Sequence, residues 1–318
     1  MTTQADFLFR RLRLRHIQLL TLLAEKGSVR GAADAMLLSQ PAVSKMLKEV
    51  EIAFGERLFE RDQHGVKPNA YGLAAIRRAR VVLNELQVVT QELQAIRGGG
   101  GLLRLGSLSI SELAPTAIAG LLQRMPGARI YVREGTVVDL VNALLDGELD
   151  CVFGALGASA LQNPLVAELS IEVVMENRLS ALLSVNHVLA RKKKLRWADL
   201  QNSRWVVPPR STIIGQAFVS AFTNIGLPPV PPVLEALSPV TMRSVLAADP
   251  TLIGVARQEY VATSVSLGGL RWMDMDPLIA LPPLCFITRH SAVAGPAIAQ
   301  YFLEELRLAA GKHGRQAA

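Results

Sequence analysis

The segment from Ser28 to Arg61 constrains the fold of this chain more than any other part of its sequence. It reads SVRGAADAMLLSQPAVSKMLKEVEIAFGERLFER. Ser39 is a favourable N-cap because its hydroxyl can accept a backbone N–H of the first helical turn, and Pro41 falls within that turn. Apolar residues then recur at helical spacing, namely Val43, Met46, Leu47, Val50 and Phe54. The segment therefore predicts two short amphipathic helices joined by a tight turn.

The second helix has a polar face opposite its apolar one. Gln40 and Ser44 lie near its start, where they can reach base edges, and Lys45 and Lys48 suit phosphates or guanine. A helix that enters a DNA major groove needs this division between a core-facing and a groove-facing stripe. The alternative interpretation of the pair alone is an amphipathic helix pair of any helical protein.

The same run resembles the winged helix-turn-helix signature of LysR-type transcriptional regulators. The matching residues are Ser28, Ala32, Ala33, Ser39, Gln40, Pro41, Ala42, Val43, Ser44, Glu51, Gly55, Leu58, Phe59 and Arg61. The wing corresponds to RDQHGVKPNAYG, from Arg61 to Gly72. Pro68 and Asn69 replace the family's usual Leu-Thr pair, but Asn69 remains a competent N-cap.

This resemblance implies an N-terminal all-α winged helix-turn-helix domain over residues 1–68. Together with the polar face, it predicts the DNA-binding residues Arg30, Ser39, Gln40, Pro41, Ser44, Lys45, Lys48, Arg61 and Lys67. The charge distribution agrees, because residues 1–97 hold 15 Lys and Arg against 10 Asp and Glu and so carry +5 of the net +7. Basic charge in that part of the chain favours binding to DNA phosphates.

One long helix is predicted over residues 69–97. Ile76, Leu83 and Thr90 alternate with Ala79, Leu86 and Leu93 at the 3.5-residue average of a two-stranded coiled coil, and further apolar residues widen the stripe at Val82, Val89 and Ile96. We therefore expect a linker that dimerises the chain; an ordinary helix packed on its own domain is the alternative. Four glycines, Gly98 to Gly101, then end the helix and form the predicted hinge.

Strand-like and helix-like segments alternate over residues 102–318, which predicts an α/β domain with helices on both faces of its sheets. The family resemblance continues in HVLARKKKLRWADLQNSRWVV and TLIGVARQEYV. It implies a two-lobed, Rossmann-like effector-binding domain similar to periplasmic binding proteins. We place lobe I at about 102–172 and 276–318, and lobe II at about 173–275.

Ligands of such folds bind at strand carboxyl ends and helix starts, between the lobes. That rule selects the candidate effector-binding residues Ser107, Ser109, Ile110, Thr136, Phe153, Gly154, Arg210, Ser211, Thr212 and Val255. Hydroxyls and N–H groups at helix starts favour anions, and Arg210 could clamp a carboxylate or sulfonate. We therefore expect a small organic anion as effector.

Two other classes of protein fit the sequence less well. An enzyme is not expected, because no GxSxG, GxxxxGK[ST] or GxGxxG motif occurs and the five histidines are scattered. Asp274 and Asp276 fit a strand edge better than a catalytic pair. A transported-solute-binding protein would share the two lobes, but it would need an export signal and would have no use for residues 1–97.

Cysteine usage and hydropathy complete the expectations. Cys151 and Cys285 lie in apolar strand-like runs and are expected to be buried thiols, with a redox-sensing pair as the alternative. We expect no metal and no cofactor, a cytoplasmic location and no membrane partner. The expected partners are a double-stranded DNA operator, the small-molecule effector and the chain itself, as a dimer through residues 69–97 and as a homotetramer by resemblance. RNA polymerase is a further candidate partner.

Overall fold

The computed structural model describes residues 12–62, 65–97, 100–108, 113–162, 164–258, 269–290 and 297–316. The N-terminal part is a three-helix unit with a two-stranded wing. Its helices are α1 (Leu14–Lys26), α2 (Val29–Met36) and α3 (Gln40–Phe54). The wing pairs β1 (Phe59–Asp62) antiparallel with β2 (Gly65–Pro68). The predicted helix pair and wing are confirmed.

Local signals explain where α2 and α3 begin. The Ser28 hydroxyl accepts the N–H of Gly31 at 3.0 Å, and the Ser39 hydroxyl accepts the N–H of Ala42 at 3.4 Å. Each bond satisfies one of the N–H groups that a helix start leaves without an acceptor. The apolar faces of the three helices then enclose one small core, which includes Leu19, Leu20, Leu23, Ala32, Ala33, Val43, Leu47 and Val50.

The linker helix, α4 (Ala70–Arg97), follows directly on Asn69, which departs from the family pattern. The Asn69 side chain accepts the N–H of Gly72 at 2.9 Å and donates to the carbonyl of Arg57 at 2.8 Å. Asn69 therefore caps α4 and also ties it to the segment before the wing. The replacement of the family's usual Thr keeps the capping function.

The apolar stripe of α4 divides into two parts. Ile76 and Ala79 are buried in the core of the N-terminal unit, so these two predicted seam residues serve their own domain. Beyond them the stripe is bare: Val82, Leu86, Val89 and Leu93 are between 45% and 55% exposed. Their spacing of four, three and four residues is that of a coiled-coil seam. The side chains of Thr90 and Ile96 lie outside the described residues.

A different face of α4 contacts lobe I through ion pairs. The contacts are Arg77 and Arg78 with Glu168, Arg80 with Asp146, and Glu85 with Arg289, at nitrogen–oxygen distances of 2.5 to 3.0 Å. The amide of Asn84 adds a hydrogen bond to the carbonyl of Asp146 at 2.7 Å. The linker helix therefore lies on lobe I with one face and leaves its apolar stripe open.

The remaining chain forms a continuous mixed sheet. Its strands are β3 (Leu102–Ser107), β4 (Arg129–Glu134), β5 (Cys151–Ala155), β6 (Leu169–Ser184), β7 (Lys194–Arg196), β8 (Arg204–Val207), β9 (Leu234–Glu235), β10 (Leu252–Arg257), β11 (Leu270–Asp276) and β12 (Ile279–Arg289). The order is β4-β3-β5-β12-β6-β10-β8-β9, with β11 beside β6 and β7. The long strands β6 and β12 belong to both lobes, so they are the crossovers of the predicted two-lobed domain.

Helices cover both faces of this sheet. They are α5 (Leu113–Arg124), α6 (Val137–Leu145), the short α7 (Ala158–Leu161), α8 (Ile213–Thr223), α9 (Pro239–Ala248) and α10 (Ala297–Gln316). In lobe I, α5 and α10 pack on one face and α6 on the other. In lobe II, α8 and α9 occupy opposite faces, and Trp197, Trp205, Phe218 and Phe222 form a buried aromatic cluster under α8. The predicted α/β class with helices on both faces is confirmed.

The predicted glycine hinge is only partly described. Gly98 and Gly99 lie outside the described residues. A Cβ on Gly100 would overlap the backbone of Gly127, and the carbonyl of Gly101 accepts the N–H of Arg129 at 2.8 Å. Gly100 is therefore needed for a close approach to lobe I, in addition to any freedom that the glycine run provides.

We expect Gly215→Ala to lower the free energy of unfolding by about 1–3 kcal/mol, the usual cost of overpacking. Gly215 lies in the first turn of α8, where a Cβ would overlap the carbonyl oxygen of Pro209 and come within 2.7 Å of that of Pro208. Urea denaturation measures the change. The matched control is Gly311→Ala in α10, where an added Cβ meets no heavy atom within 4 Å and should be neutral or stabilising. Equal stabilities of the two variants would contradict the packing argument.

Candidate DNA-binding and effector-binding sites

The groove-facing side of α3 is open. Gln40, Lys45 and Lys48 are exposed and Ser44 is half-buried, while Val43, Met46, Leu47 and Val50 on the other side are buried. Arg30 on α2 and the cap residue Ser39 are exposed as well, as is Pro41 in the first turn of α3. Most of the predicted DNA-binding residues are therefore accessible, and all of them but Arg30 in this set lie on α3 or at its N-cap.

Two contacts that the sequence reasoning did not anticipate hold α3 in place. His16 on α1 is buried; its Nδ1 accepts the N–H of Arg13 at 3.0 Å, and its Nε2 lies 3.3 Å from the Glu49 carboxylate. Glu51 accepts the N–H of Leu58 at 2.9 Å, so it links α3 to the start of the wing. Glu51 belonged to the matched motif, but His16 carried no signal in the sequence.

The wing carries an exposed lysine. Lys67 lies on β2 opposite Glu60 of β1, and its side chain is exposed. The backbone of Arg61 pairs with Val66 in the wing, but the Arg61 side chain lies outside the described residues. The position of β2 is set by the core, because Val66 is buried and its N–H donates to the carbonyl of Gly27 at 2.9 Å.

A cavity of about 550 Å³ lies between the two lobes, in the size range of small-molecule sites. Five of the predicted effector residues line it: Ser107, Thr136, Ser211, Thr212 and Val255. They come from β3, from the N-cap of α6, from the segment before α8 and from β10. The rule that ligands bind at strand ends and helix starts therefore selected residues from four of the segments that line this cavity.

Three other predicted residues are not among the described residues that line the cavity. Phe153 is 0% exposed and packs in the lobe I core with Leu105 and Phe302, because its side chain points to the α5 and α10 face of the sheet. Gly154 packs directly against Leu108. Arg210 is exposed at the surface outside the cavity. Ser109 and Ile110 lie outside the described residues.

Several cavity residues were missed by the sequence reasoning. The charged ones are Glu134, at the end of β4, Arg243 on α9, and Arg257, at the end of β10. Apolar ones include Leu237 and Met242. Ser238 followed by Pro239 is a recognisable N-cap and first turn, and its hydroxyl does accept the N–H of Thr241 at 3.4 Å. That signal could have marked the start of α9 as a further wall of the site.

The predicted threonine hydroxyls are occupied by helix capping. Thr136 accepts the N–H of Asp139 at 3.2 Å and donates to the Asp139 carboxylate at 2.7 Å. Thr212 accepts the N–H of Gly215 at 3.0 Å and donates to the carbonyl of Pro209 at 2.7 Å. These side chains therefore hold α6 and α8 with their N-termini at the cavity, and the helix starts themselves face the ligand space.

The carboxylate pair Asp274 and Asp276 has structural partners. Asp274 binds Arg178 and Asp276 binds Lys194, each at 3.1 Å, at the β11 edge of lobe II.

In the described part of the chain, no group of three or more His, Cys, Asp and Glu side chains could hold a metal ion. Within the same residues, no helix is both long enough and apolar enough to cross a bilayer.

The two cysteines lie on opposite faces of the sheet. Cys151 packs with Leu103 and Phe153 in the lobe I core, whereas Cys285 packs with the α6 layer. Burial raises the pKa of the Cys151 thiol well above its ordinary value, with a further contribution from Asp150, and burial also raises the pKa of Cys285. A disulfide between opposite faces would require the sheet to open.

We therefore expect both thiols to react slowly with a maleimide in the native protein and rapidly after denaturation in urea. Peroxide treatment should leave both thiols free, because protonated, buried thiols are poor nucleophiles. Mass spectrometry of the alkylated protein measures this directly. An intramolecular disulfide after peroxide would contradict the placement of Cys151 and Cys285 on separate faces.

The fold and the two sites define a class of protein. A winged helix-turn-helix on a long helix, followed by a two-lobed α/β domain, is the architecture of a DNA-binding transcriptional regulator with a small-molecule site. The family model described as "Bacterial regulatory helix-turn-helix protein, lysR family" matches residues 14–73, and the one described as "LysR substrate binding domain" matches residues 97–310. The chain belongs to the LysR family of transcriptional regulators.

Curated relatives and solved structures agree with this assignment. The transcriptional regulator GbpR of Azospirillum brasilense is 31% identical over 259 residues, 79% of this chain and 73% of the relative. PcaQ of Agrobacterium fabrum is 27% identical over 269 residues, 84% of this chain and 85% of the relative. Full-length OxyR C199D from Pseudomonas aeruginosa shares the fold with a TM-score of 0.61 at 20% identity, covering 93% of this chain and 98% of that one.

Proposed function

We propose that this regulator binds its operator through the open face of α3. On this face Gln40, Lys45 and Lys48 are exposed and Ser44 is half-buried. The opposite face of α3 is buried in the core of the N-terminal unit, which fixes the position of the helix. Arg30, Ser39 and Pro41 on the same surface, with Arg61 and Lys67 on the wing, would contact phosphates or bases. A structure of CbnR bound to its target DNA has this fold, with a TM-score of 0.50 at 20% identity, 94% coverage of this chain and 100% of that one.

Two chains dimerise through the bare part of the α4 stripe in this proposal. Val82, Leu86, Val89 and Leu93 would pack on the same residues of a second copy, because exposed apolar residues at coiled-coil spacing gain from mutual burial. Dimerisation pairs two recognition helices, as an operator with two half-sites requires. Two dimers would join through their effector-binding domains to form a tetramer. The domain boundaries in this proposal are those predicted from the sequence.

The cavity between the lobes would hold a small organic anion as effector, without a cofactor. Arg243 and Arg257 line it, and α6, α8 and α9 begin at it, which together favour negative charge. An effector alters DNA binding only if it binds two states of the protein with different affinities. A change in the angle between the lobes would alter the positions of the paired DNA-binding domains through the segment 98–101. The protein would act in the cytoplasm, where the operator is found.

This proposal rests on one observation: α3 exposes Lys45 and Lys48 on one face, while its opposite face is buried in the core of the N-terminal unit. The test is to map the DNA bound by the full-length protein in cells and to compare transcripts with and without its gene. The proposal expects a small number of localised sites whose neighbouring transcripts change when the protein is removed. Binding spread without preference over the chromosome, with no transcript change beside it, would contradict the proposal.

A further inference from the structure

The walls of the cavity between the lobes are mainly apolar. Lobe I contributes Leu108, Val137 and Ala155, and lobe II contributes a larger set, Leu182, Ile213, Ile214, Leu237, Met242 and Val255. Such walls favour a ligand whose body is itself apolar, because the free energy gained on burial rises with the apolar area removed from water. A small polar ion would leave most of this surface against water.

Charged side chains on the cavity are divided between the lobes. Arg243 and Arg257 lie on lobe II, and Arg257 is only 4% exposed. Glu134 lies on lobe I and is exposed at the rim. No other ionisable residue occurs among the described residues that line the cavity. The ionisable side chains that line the described part of the cavity are therefore two arginines on lobe II and one glutamate on lobe I.

The helix starts add to the positive side. Of the first-turn N–H groups of α8, Thr212 satisfies that of Gly215. The N–H groups of Ile213 and Ile214 come before it, have no acceptor within the helix, and belong to residues that line the cavity. They lie on lobe II, as does the start of α9 at Pro239. The partial positive charge of two helix starts therefore reinforces the two arginines.

We propose that the effector is an apolar monocarboxylate that carries an amino or hydroxyl group. Its carboxylate binds the arginines and helix starts of lobe II, its body fills the apolar walls, and its donor group faces Glu134 of lobe I. This assignment rests on the proposed function, in which the cavity holds the effector. A second carboxylate would lie near Glu134 and be repelled, and a neutral sugar would match neither the walls nor the arginines.

Because such a ligand binds the arginines of lobe II with its carboxylate and Glu134 of lobe I with its donor group, it stabilises one lobe angle over others. An acid without the donor would bind lobe II but would not draw Glu134 and lobe I toward it. The two ends of the ligand therefore have different tasks: the carboxylate supplies affinity, and the donor group supplies the difference in affinity between two lobe arrangements that regulation requires.

Isothermal titration calorimetry of the full-length protein tests the ligand class. The probes are phenylalanine, 3-phenyllactate, leucine and 2-hydroxyisocaproate as matching acids, with phenylalaninamide, succinate and glucose for comparison. We expect at least one matching acid to bind. The Kd of its amide should be higher by about tenfold or more. Binding of succinate or glucose in preference, equal binding of the amide, or no binding by any matching acid would overturn the assignment.

A specificity change provides a result that a misfolded variant cannot give. Glu134→Gln should raise the affinity for phenylsuccinate, which has a second carboxylate, by about tenfold, because the repulsion is removed. The same variant should bind phenylalanine more weakly than the native protein does. Arg243→Gln should weaken binding of the acid about tenfold and leave binding of the amide unchanged. Arg243 is chosen because it is half-buried, whereas loss of the buried Arg257 can affect folding. An unchanged preference in both variants would overturn the proposal.

A blocking variant separates this inference from the function on which it rests. Ser211→Trp places a large side chain at the exposed rim of the cavity and should abolish binding of any ligand held there. If glucose binds and Ser211→Trp abolishes that binding, the cavity is the effector site and only the ligand class is wrong. If a ligand binds equally well to the native protein, to Ser211→Trp and to Arg243→Gln, the cavity is not the effector site and both proposals fail.

Discussion

Lys45→Ala is expected to weaken operator binding by about 10- to 100-fold, while the affinity for the effector stays unchanged. Lys45 is exposed on α3 between Gln40 and Lys48, whereas the next residue, Met46, is buried in the core. A lost contact to guanine costs about 1–3 kcal/mol of discrimination. A lost phosphate contact instead lowers affinity for all sequences and reduces the salt dependence by about one counterion.

Fluorescence anisotropy with labelled operator DNA at several salt concentrations distinguishes these two roles. Ser44→Ala should have a smaller effect of the same kind, since Ser44 is half-buried. The matched control is Lys192→Ala, which removes one exposed lysine of lobe II and should leave operator binding unchanged. If Lys45→Ala alters neither the affinity nor its salt dependence, α3 is not the DNA-reading helix.

Placing charge on the bare stripe of α4, with Leu86→Glu and Leu93→Glu together, should convert the proposed dimer to a monomer. The two leucines are 49% and 55% exposed in the single chain and gain burial only against another surface. Operator affinity should then fall by at least about 100-fold, because the second head no longer binds at the high effective concentration that the linkage provides. Sedimentation velocity measures the mass, and anisotropy measures the affinity.

Gln87→Glu is the matched control for this pair, because it adds a charge at an exposed position of α4 beside the stripe. Its expected effect on mass and on operator affinity is small. A double variant that remains dimeric and binds the operator normally would show that another surface pairs the heads. In that case the contacts of Arg80, Asn84 and Glu85 with lobe I would remain as a role for this part of α4.

The N-terminal unit could be predicted in detail because its signals are local. Ser28 and Ser39 cap helices a few residues away, and the apolar spacing of α3 reports directly which side is buried. Periodicity alone could not say what covers a stripe. Ile76 and Ala79 continue the seam of α4 in sequence, but α1 and its neighbours cover them, so the free seam begins only at Val82.

The cavity was predicted less completely because its walls come from distant parts of the chain. Glu134 and Arg243 are more than 100 residues apart and lie in different lobes, which share the crossover strands β6 and β12. The strand-end rule locates loops but does not state which way a side chain points, which is why Phe153 was placed in the cavity and lies in the core. Arg243, one turn inside α9, carries no marker at all in the sequence.

Selection of bound sequences from a random DNA pool by the purified full-length protein, read at two salt concentrations, tests the central claim most directly. Paired recognition helices predict enrichment of an inverted repeat whose half-sites lie about one helical turn, or a multiple of it, apart. Enrichment should be weakened in Lys45→Ala and reduced to a single half-site in the Leu86→Glu, Leu93→Glu variant. Weak binding that depends on salt but enriches no sequence would contradict the claim, and would leave only general attraction between a basic chain and DNA.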